Sequence, residues 1–317
     1  MLTVYPDYYP QFKCIASRCS HNCCIGWEID IDSETAAKYA AVDGEMGARL
    51  RANIAHDDDP PHFILGESER CPFLNGSNLC DLILHGGEGM LCQICADHPR
   101  FRNDLPGRTE LGLGLCCEAA AKLIIDRREP VGFISTGVAD EEECDDYAAA
   151  LIALRDELIA AAQDRSRPVW ARADAVLNMC GLPPVDLPPR QLARLYLGLE
   201  RLDEAWTGHP NALYEQGESI DLAAFDRHMT GREHELEQLL VYFLYRHMAG
   251  AYDDGDAPGR AALAVLGLRL IYLLGAVQLA QSGQFSTDDM AELARMYSSE
   301  VEYSDENVDA LLDALAG

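Results

Sequence analysis

Ten of the twelve cysteines in the chain lie between positions 14 and 117. They form four groups: Cys14-x4-Cys19-x3-Cys23-Cys24, Cys71 with Cys80, Cys92-x2-Cys95, and the pair Cys116-Cys117. A single cysteine often serves as a small core residue, but this density is too high for packing alone. Thiolates are the ligands that zinc and iron–sulfur centres select. The series therefore predicts a metal-binding region whose ligands are Cys14, Cys19, Cys23, Cys24, Cys71, Cys80, Cys92, Cys95 and Cys116.

Disulfide formation is the main alternative use of so many cysteines. The first residues of the chain show no basic run followed by an apolar stretch, so the sequence predicts no secretory signal. We therefore expect a cytoplasmic protein, in a reducing compartment where disulfides rarely persist. The thiols are expected to be free for a metal.

The spacing of the cysteines favours iron over zinc. The two-residue gap between Cys92 and Cys95 lets both sulfurs converge on one centre across a single turn. Structural zinc usually takes two such pairs, and no second pair is present. Iron–sulfur clusters accept less regular spacing, and a proline after the ligand, as after Cys71, occurs in ferredoxin-type sequences. We expect an iron–sulfur cluster, with zinc as the alternative metal and the number of sites open.

Several segments of the cysteine-rich region resemble the flagellin lysine-N-methylase family. They are Lys13–Cys19 (KCIASRC), Asn22–Trp27 (NCCIGW), Arg70–Leu74 (RCPFL), Leu79–Asp81, Leu91–Cys95, Pro99-Arg100 and Leu113–Ala120. The resemblance covers about residues 5–125, and the helical remainder is similar mainly in character. Cys117 departs from it, because proline is expected there. The resemblance implies a 4Fe-4S cluster and methyl transfer from S-adenosylmethionine to lysines of flagellin.

A smaller part of the pattern resembles cysteine-rich zinc- or iron-chelating proteins of unassigned function. It consists of the Cys-Cys pair, a Cys-x-Phe-Leu segment and the step from Cys95 to His98-Pro99. This second resemblance implies a non-enzymatic redox or interaction module, which is the alternative to a methyltransferase. A radical mechanism is not supported, because Gly26 occupies the third position of a Cys-x3-Cys-x2-Cys signature.

Binding of a methyl donor rests on the resemblance, since no glycine-rich dinucleotide fingerprint is present. Lysine methylation needs a neutral amine aligned with the methyl group of a sulfonium. Trp27 is a candidate because an aromatic face stabilises a cation, and Arg100 because a guanidinium binds a carboxylate. The tyrosines among residues 5–9 are further aromatic candidates, although packing explains them as well. The catalytic base stays unassigned.

The elements that must position these side chains change character along the chain. Residues 1–130 contain many turn signals and predict short irregular elements around a metal rather than around a large apolar core. One helix is predicted there from about Ser33 to Arg51, capped by Asp32 or Ser33. Residues 131–317 predict an α-helical region. The expected fold is mainly α: a cysteine-rich metal-binding N-terminal lobe followed by a helical C-terminal region.

Apolar spacing and capping signals define the predicted C-terminal helices. Two of them cover Gln191–Trp206 and Glu233–Met248. The second contains the run Leu239–Leu244, which is apolar all round, so this helix should be central. Ser286 with Asp289 forms a capping box, and Ser304 caps the last helix.

One apolar run, Ala261–Ala280, is long enough to suggest a membrane span. Arg269 lies at its centre, and a charge at mid-bilayer costs about 2.5–3.5 kcal/mol. A buried core helix explains the run better, so we expect no membrane association.

The charge balance limits the possible partners. The formal net charge is −28, from 53 acidic against 25 basic residues. This field repels phosphate backbones and disfavours nucleic acid. It is compatible with a basic peptide, and the expected partner is a protein substrate, flagellin or another lysine-bearing protein.

Overall fold

The computed structural model describes residues 1–56, 59–139 and 145–316, so that Cys144 lies outside the described residues. The described chain is mainly α, as predicted. It divides into two compact units, one formed by Lys13–Phe101 and the other by Met1–Phe12 with Arg102–Gly317. These bounds differ from a division at residue 130, because the first strand of the chain pairs with Arg108–Leu113 and with Phe133–Thr136, on either side of that residue.

The strands of the described residues are β1 (Leu2–Pro6), β2 (Ile54–Ala55), β3 (His62–Phe63), β4 (Arg100–Leu105), β5 (Arg108–Leu113) and β6 (Phe133–Thr136). Four of them form a sheet in the order β4-β5-β1-β6. Strand β1 runs parallel to β5, with Leu2 opposite Arg108, and antiparallel to β6, with Thr3 opposite Thr136. The sequence analysis finds no sheet, because these strands are short and β1 pairs with strands that lie far from it in the chain.

The helices of the described residues are α1 (Ser33–Ala40), α2 (Gly44–Ala52), α3 (Asp81–Gly86), α4 (Gln93–Asp97), α5 (Glu118–Ile125), α6 (Asp146–Ala162), α7 (Val169–Met179), α8 (Pro189–Leu197), α9 (Gly208–Gln216), α10 (Leu222–His228), α11 (Glu233–His247), α12 (Ala251–Asp254), α13 (Ala257–Ser282), α14 (Thr287–Tyr297) and α15 (Asp305–Ala316). Short 3-10 segments connect several of them, and a π-helical turn, Ser298–Glu302, joins α14 to α15.

Two helices form the centre of the larger unit. Helix α11 is buried over most of its length, which confirms the prediction that this apolar segment is central. Helix α13 packs against it and is the one helix among the described residues that is long and apolar enough to cross a membrane. Its most apolar stretch is 83% buried, and Arg269 forms an ion pair with Asp186 at 2.9 Å. The prediction of a buried core helix is confirmed.

Two helices of the structure differ in extent from the predicted ones, because the chain turns within the predicted ranges. The helix expected over Ser33–Arg51 is two helices, because the chain turns after Ala40 and re-enters a helix at Gly44 with φ of +73°. The helix expected over Gln191–Trp206 ends at Leu197, just before a glycine. The predicted caps are confirmed: Asp32 accepts a hydrogen bond from the Thr35 amide, and Ser286 forms a capping box with Asp289.

The smaller unit has an apolar core of its own, which corrects the expectation of elements arranged around something other than apolar packing. The rings of Tyr39, Phe63 and Phe73 are fully buried, and the centroid of the Phe63 ring lies 6.1 Å from that of Tyr39 and 5.0 Å from that of Phe73. Cys71 and Cys92 belong to the same buried cluster. Some of the cysteines in this thiol-rich unit therefore also pack in its apolar core.

Candidate functional site

Backbone pairing brings cysteines from distant segments of the smaller unit together. The amide of Cys71 donates to the carbonyl of Cys24 at 2.8 Å, beside an antiparallel bridge between Ile25 and Arg70. Cys80 forms a bridge with Leu74, three residues after Cys71. These pairings place Cys24, Cys71 and Cys80 in neighbouring segments that sequence spacing does not relate.

The Cys92-x2-Cys95 pair lies at the start of α4. Cys92 is the N-cap residue of this helix, and Cys95 follows within its first turn. Asp32 holds the helix start, because its two carboxylate oxygens accept from the amides of Thr35 and Gln93 at 2.9 and 2.8 Å. The cap of α1 therefore also fixes the position of the two thiols.

Six thiols influence one another's ionisation. A hydrogen bond from Cys24 lowers the pKa of Cys23 to about 7, and one from Cys95 lowers the pKa of Cys92. Conversely, the hydrogen bond to Cys92, burial and charge on neighbouring sulfurs raise the pKa of Cys95. Burial raises the pKa of Cys71 to about 11, and charge on the cysteine at position 80 adds to the shift. Each hydrogen-bonded pair, Cys23 with Cys24 and Cys92 with Cys95, thus contains one thiol whose pKa is lowered and one whose pKa is raised.

This donor set suits a soft metal centre. Cys23, Cys24, Cys71, Cys80, Cys92 and Cys95 offer thiolates that interact in one part of the unit, and thiolates are the usual ligands of iron–sulfur clusters and structural zinc. Within residues 1–56, 59–139 and 145–316, no three His, Cys, Asp or Glu side chains already surround one point as ligands of a single ion do. Assigning individual ligands stays a prediction.

The remaining predicted ligands have other surroundings. Cys14 is exposed, and its Sγ accepts from the Ala16 amide at 3.3 Å. Cys19 Sγ donates to the carbonyl of His21 at 2.9 Å. Cys116 lies in the larger unit, where Tyr303 is its hydrogen-bond partner. Burial raises the pKa of Cys116 to about 12, against the influence of that hydrogen bond and of a nearby arginine.

The two residues predicted to bind the methyl donor lie in the smaller unit near its cysteines. Trp27 Nε1 donates to the carbonyl of Cys23 at 2.6 Å, and its ring is 6.2 Å from that of His98. Burial lowers the pKa of His98 to about 4, so this imidazole is neutral near pH 7. Arg100 Nη1 donates to the carbonyl of Ala96 at 3.2 Å. Their role in donor binding stays a prediction.

The larger unit contains a buried charge cluster that the sequence analysis missed. Glu302 is fully buried at the end of the π-helical turn. Its Oε2 accepts from Tyr242 Oη at 2.8 Å, while Oε1 lies 2.8 Å from His247 Nε2 and 3.2 Å from Arg246 Nε. Tyr242 Oη also accepts from the Leu115 amide at 3.2 Å. Nothing in the sequence singles out this glutamate among 53 acidic residues.

Electrostatics in this cluster fix the charge states. Burial works to raise the pKa of Glu302, but Arg246 and His247 outweigh it and bring the pKa down to about 2. Burial lowers the pKa of His247, which is therefore neutral at pH 7. The cluster is an ionised carboxylate paired with one permanent cation. Among the described residues, Glu302 Oε2 has a hydrogen-bond donor, whereas Oε1 has ion-pair contacts alone.

The helical part of the chain that contains this cluster matches a known family of protein domains. Residues 194–316 match the model of the FliB lysine N-methylase C-terminal domain. The resemblance to the flagellin lysine N-methylases is confirmed. Tyr242, Arg246, His247 and Glu302 all lie within the FliB-type domain. The match thus covers the helical half, where the sequence analysis finds the weaker resemblance.

Curated relatives agree with the domain match. The flagellar biosynthetic protein FliU of Salmonella muenchen is 29% identical over 133 residues, which cover 38% of this chain and 75% of FliU. The lysine-N-methylases of Salmonella typhimurium and Salmonella choleraesuis are each 28% identical over 135 residues. Those alignments cover 38% of this chain but only 32% of either relative. No solved structure matches the chain.

Proposed function

We propose that this protein is an S-adenosylmethionine-dependent protein lysine N-methyltransferase that acts on a flagellin-type acceptor and carries an iron–sulfur cluster. The match of residues 194–316 to the FliB-type domain carries the proposal. The names of two relatives, both lysine-N-methylases, support the same reaction class. The interacting thiols of the smaller unit support the cluster.

The residues of the smaller unit have defined tasks in this proposal. The six interacting thiols would supply the thiolates from which four cluster ligands are drawn: Cys23, Cys24, Cys71, Cys80, Cys92 and Cys95. Cys92 ionises more readily than Cys95, so it would be available to a cluster as a thiolate ligand. A bound cluster would supply a redox-active or rigid centre. Trp27, whose indole is fixed by a backbone carbonyl, presents an aromatic ring beside these cysteines.

Metal content tests the cluster. Protein purified anaerobically is assayed for iron, sulfide and zinc, and its visible absorption is recorded. We expect about four iron and four sulfide per chain, and loss of both in Cys92→Ser and Cys95→Ser. Cys180→Ser is the matched control, because this half-buried cysteine lies at the end of α7 in the larger unit. Stoichiometric zinc without visible absorption would overturn the iron assignment.

Methyl transfer tests the reaction. The holoprotein is incubated with flagellin and S-adenosylmethionine labelled at the methyl group, and labelled lysines are located by mass spectrometry. The control acceptor is flagellin with chemically dimethylated lysines, which should take up far less label. A holoprotein with an intact cluster that transfers no label would contradict the proposal and favour a non-enzymatic iron–sulfur or zinc module.

A further inference from the structure

The larger unit contains a charged cleft of about 850 Å³ that neither the predicted metal site nor the buried charge cluster uses. Its walls come from the loop after α5, the start of α7 with the loop before it, and the segment joining α10 to α11. Four arginines line it, Arg128, Arg165, Arg167 and Arg172, in a protein of net charge −28. This concentration of guanidinium groups is the feature to explain. We refer to it as the arginine cleft.

Two of the four arginines share a single carboxylate at the base of the cleft. Glu237 is 1% exposed, and Arg165 binds both of its oxygens through contacts of 2.8 to 3.2 Å. Arg172 Nη1 donates to the same carboxylate at 2.6 Å and is 6% exposed. One carboxylate thus faces two permanent cations. Three further carboxylates, Glu129, Asp226 and Glu233, line the cleft, so that its four arginines face four acidic side chains in all.

The other two arginines stand at the rim. Arg128 and Arg167 are exposed, and neither forms an ion pair with any residue that the structure describes. The backbone here is held firmly, because the Arg128 carbonyl accepts from Arg165 Nη2 at 2.6 Å and the Arg167 carbonyl accepts from Arg172 Nε at 2.8 Å. The rim guanidinium groups are therefore attached to a fixed frame and are available to an anionic ligand.

Acidic and aromatic groups complete the lining. Glu129 and Glu233 are exposed beside the arginines, and the half-buried Trp170 lies in the first turn of α7, before Arg172. A phosphate-rich ligand would meet repulsion from these glutamates, since like charges placed close together are unfavourable. A ligand that carries both a carboxylate and a cation matches the mixture, because arginine binds carboxylates in a planar, bidentate geometry.

We propose that the arginine cleft binds a small zwitterionic ligand of the α-amino-acid class through its carboxylate, with Arg128 and Arg167 as the recognising groups. Resting on the proposed function, the matching ligand is S-adenosylmethionine, whose carboxylate, ammonium and sulfonium use both charge types. The cleft volume lies within the range of small-molecule sites, about 300–1,000 Å³. The arginines position the donor and take no part in bond making.

Calorimetry with two probes tests the assignment. S-adenosylhomocysteine keeps the amino-acid group, and 5′-methylthioadenosine lacks it. We expect Arg128→Gln and Arg167→Gln each to weaken binding of S-adenosylhomocysteine at least about tenfold, with little change for methylthioadenosine. Arg227→Gln is the matched control, since it removes an exposed arginine of α10 that does not line the cleft. All three side chains are exposed, so the variants should fold.

The outcomes separate this inference from the proposed function. Unchanged affinity in both cleft variants, or a loss in Arg100→Gln instead, would overturn the cleft assignment while methyl transfer to flagellin still supports the enzyme. Arginine-dependent binding without methyl transfer would support the cleft and contradict the enzyme. If S-adenosylhomocysteine does not bind the holoprotein at all, the cleft assignment is wrong.

Discussion

Replacing Glu302 by Gln should destabilise the larger unit strongly. The side chain is fully buried, and Gln keeps its volume while removing the charge that compensates Arg246. Removing one member of a buried ion pair costs about 3–5 kcal/mol, because the remaining charge stays buried without compensation. Gln still accepts from Tyr242, so we expect a loss of about 3 kcal/mol, the lower end of that range. Each kcal/mol lowers the Tm of a unit of this size by roughly 2–4 °C, which gives a drop of at least about 6 °C.

Thermal unfolding followed by circular dichroism at pH 7 measures this effect in the full-length protein. Arg227→Gln serves as control, because its ion pair with Asp221 is about 70% exposed on both sides and such pairs contribute about 0–1 kcal/mol. If Glu302→Gln melts within about 2 °C of that control, the buried carboxylate does not compensate Arg246, and the account of the buried charge cluster is wrong.

Three further predictions follow from the same contacts. The pKa of Glu302 falls from 4.5 to about 2 on folding. The ionised carboxylate therefore contributes fully to the free energy of unfolding above pH 4.5, and this contribution is lost as the pH falls towards 2. Glu302→Gln should show a flatter acid-unfolding profile by fluorescence. Phe73→Ala should destabilise the smaller unit by about 3–5 kcal/mol in urea titrations, since the ring is fully buried. Asp32→Ala removes the acceptor for the Thr35 and Gln93 amides and should lower the free energy of unfolding by about 0.5–2 kcal/mol. Iron analysis of this variant should show weaker retention of the cluster. Full retention would contradict the link between this helix cap and the thiols.

Much of the helical fold could be predicted because burial imposes a pattern on the sequence. The segment predicted as Glu233–Met248 contains a run, Leu239–Leu244, that is apolar on all sides, and it forms α11 over Glu233–His247. Where a predicted helix has the wrong bounds, the backbone conformation at one residue determines where the helix begins or ends. Gly44 adopts a positive φ that starts a second helix, and α8 ends before Gly198. Periodicity alone does not report such turns.

The candidate site was only partly visible for a different reason. Cysteine density predicts a thiol-rich region, but tertiary pairing decides which thiols meet. The approach of Cys24 to Cys71 depends on a backbone hydrogen bond between segments 47 residues apart. Cys116, in contrast, has Tyr303 as its partner in the larger unit. Buried carboxylates such as Glu302 look like any surface glutamate in the sequence, since only the fold removes them from water.

The polar residues of the larger unit divide into groups that stabilise the fold and groups that remain open to a ligand. Glu302 is fully buried beside Tyr242, Arg246 and His247, so a substrate could reach its carboxylate only if the core opened. Arg128 and Arg167 are exposed beside a cleft of small-molecule size. We therefore expect opposite phenotypes below the unfolding temperature. Glu302→Gln should lower the Tm and leave the affinity for the methyl donor unchanged. Arg167→Gln should weaken donor binding and leave the Tm unchanged. A variant of either residue that altered both the Tm and the donor affinity would show that this division is wrong.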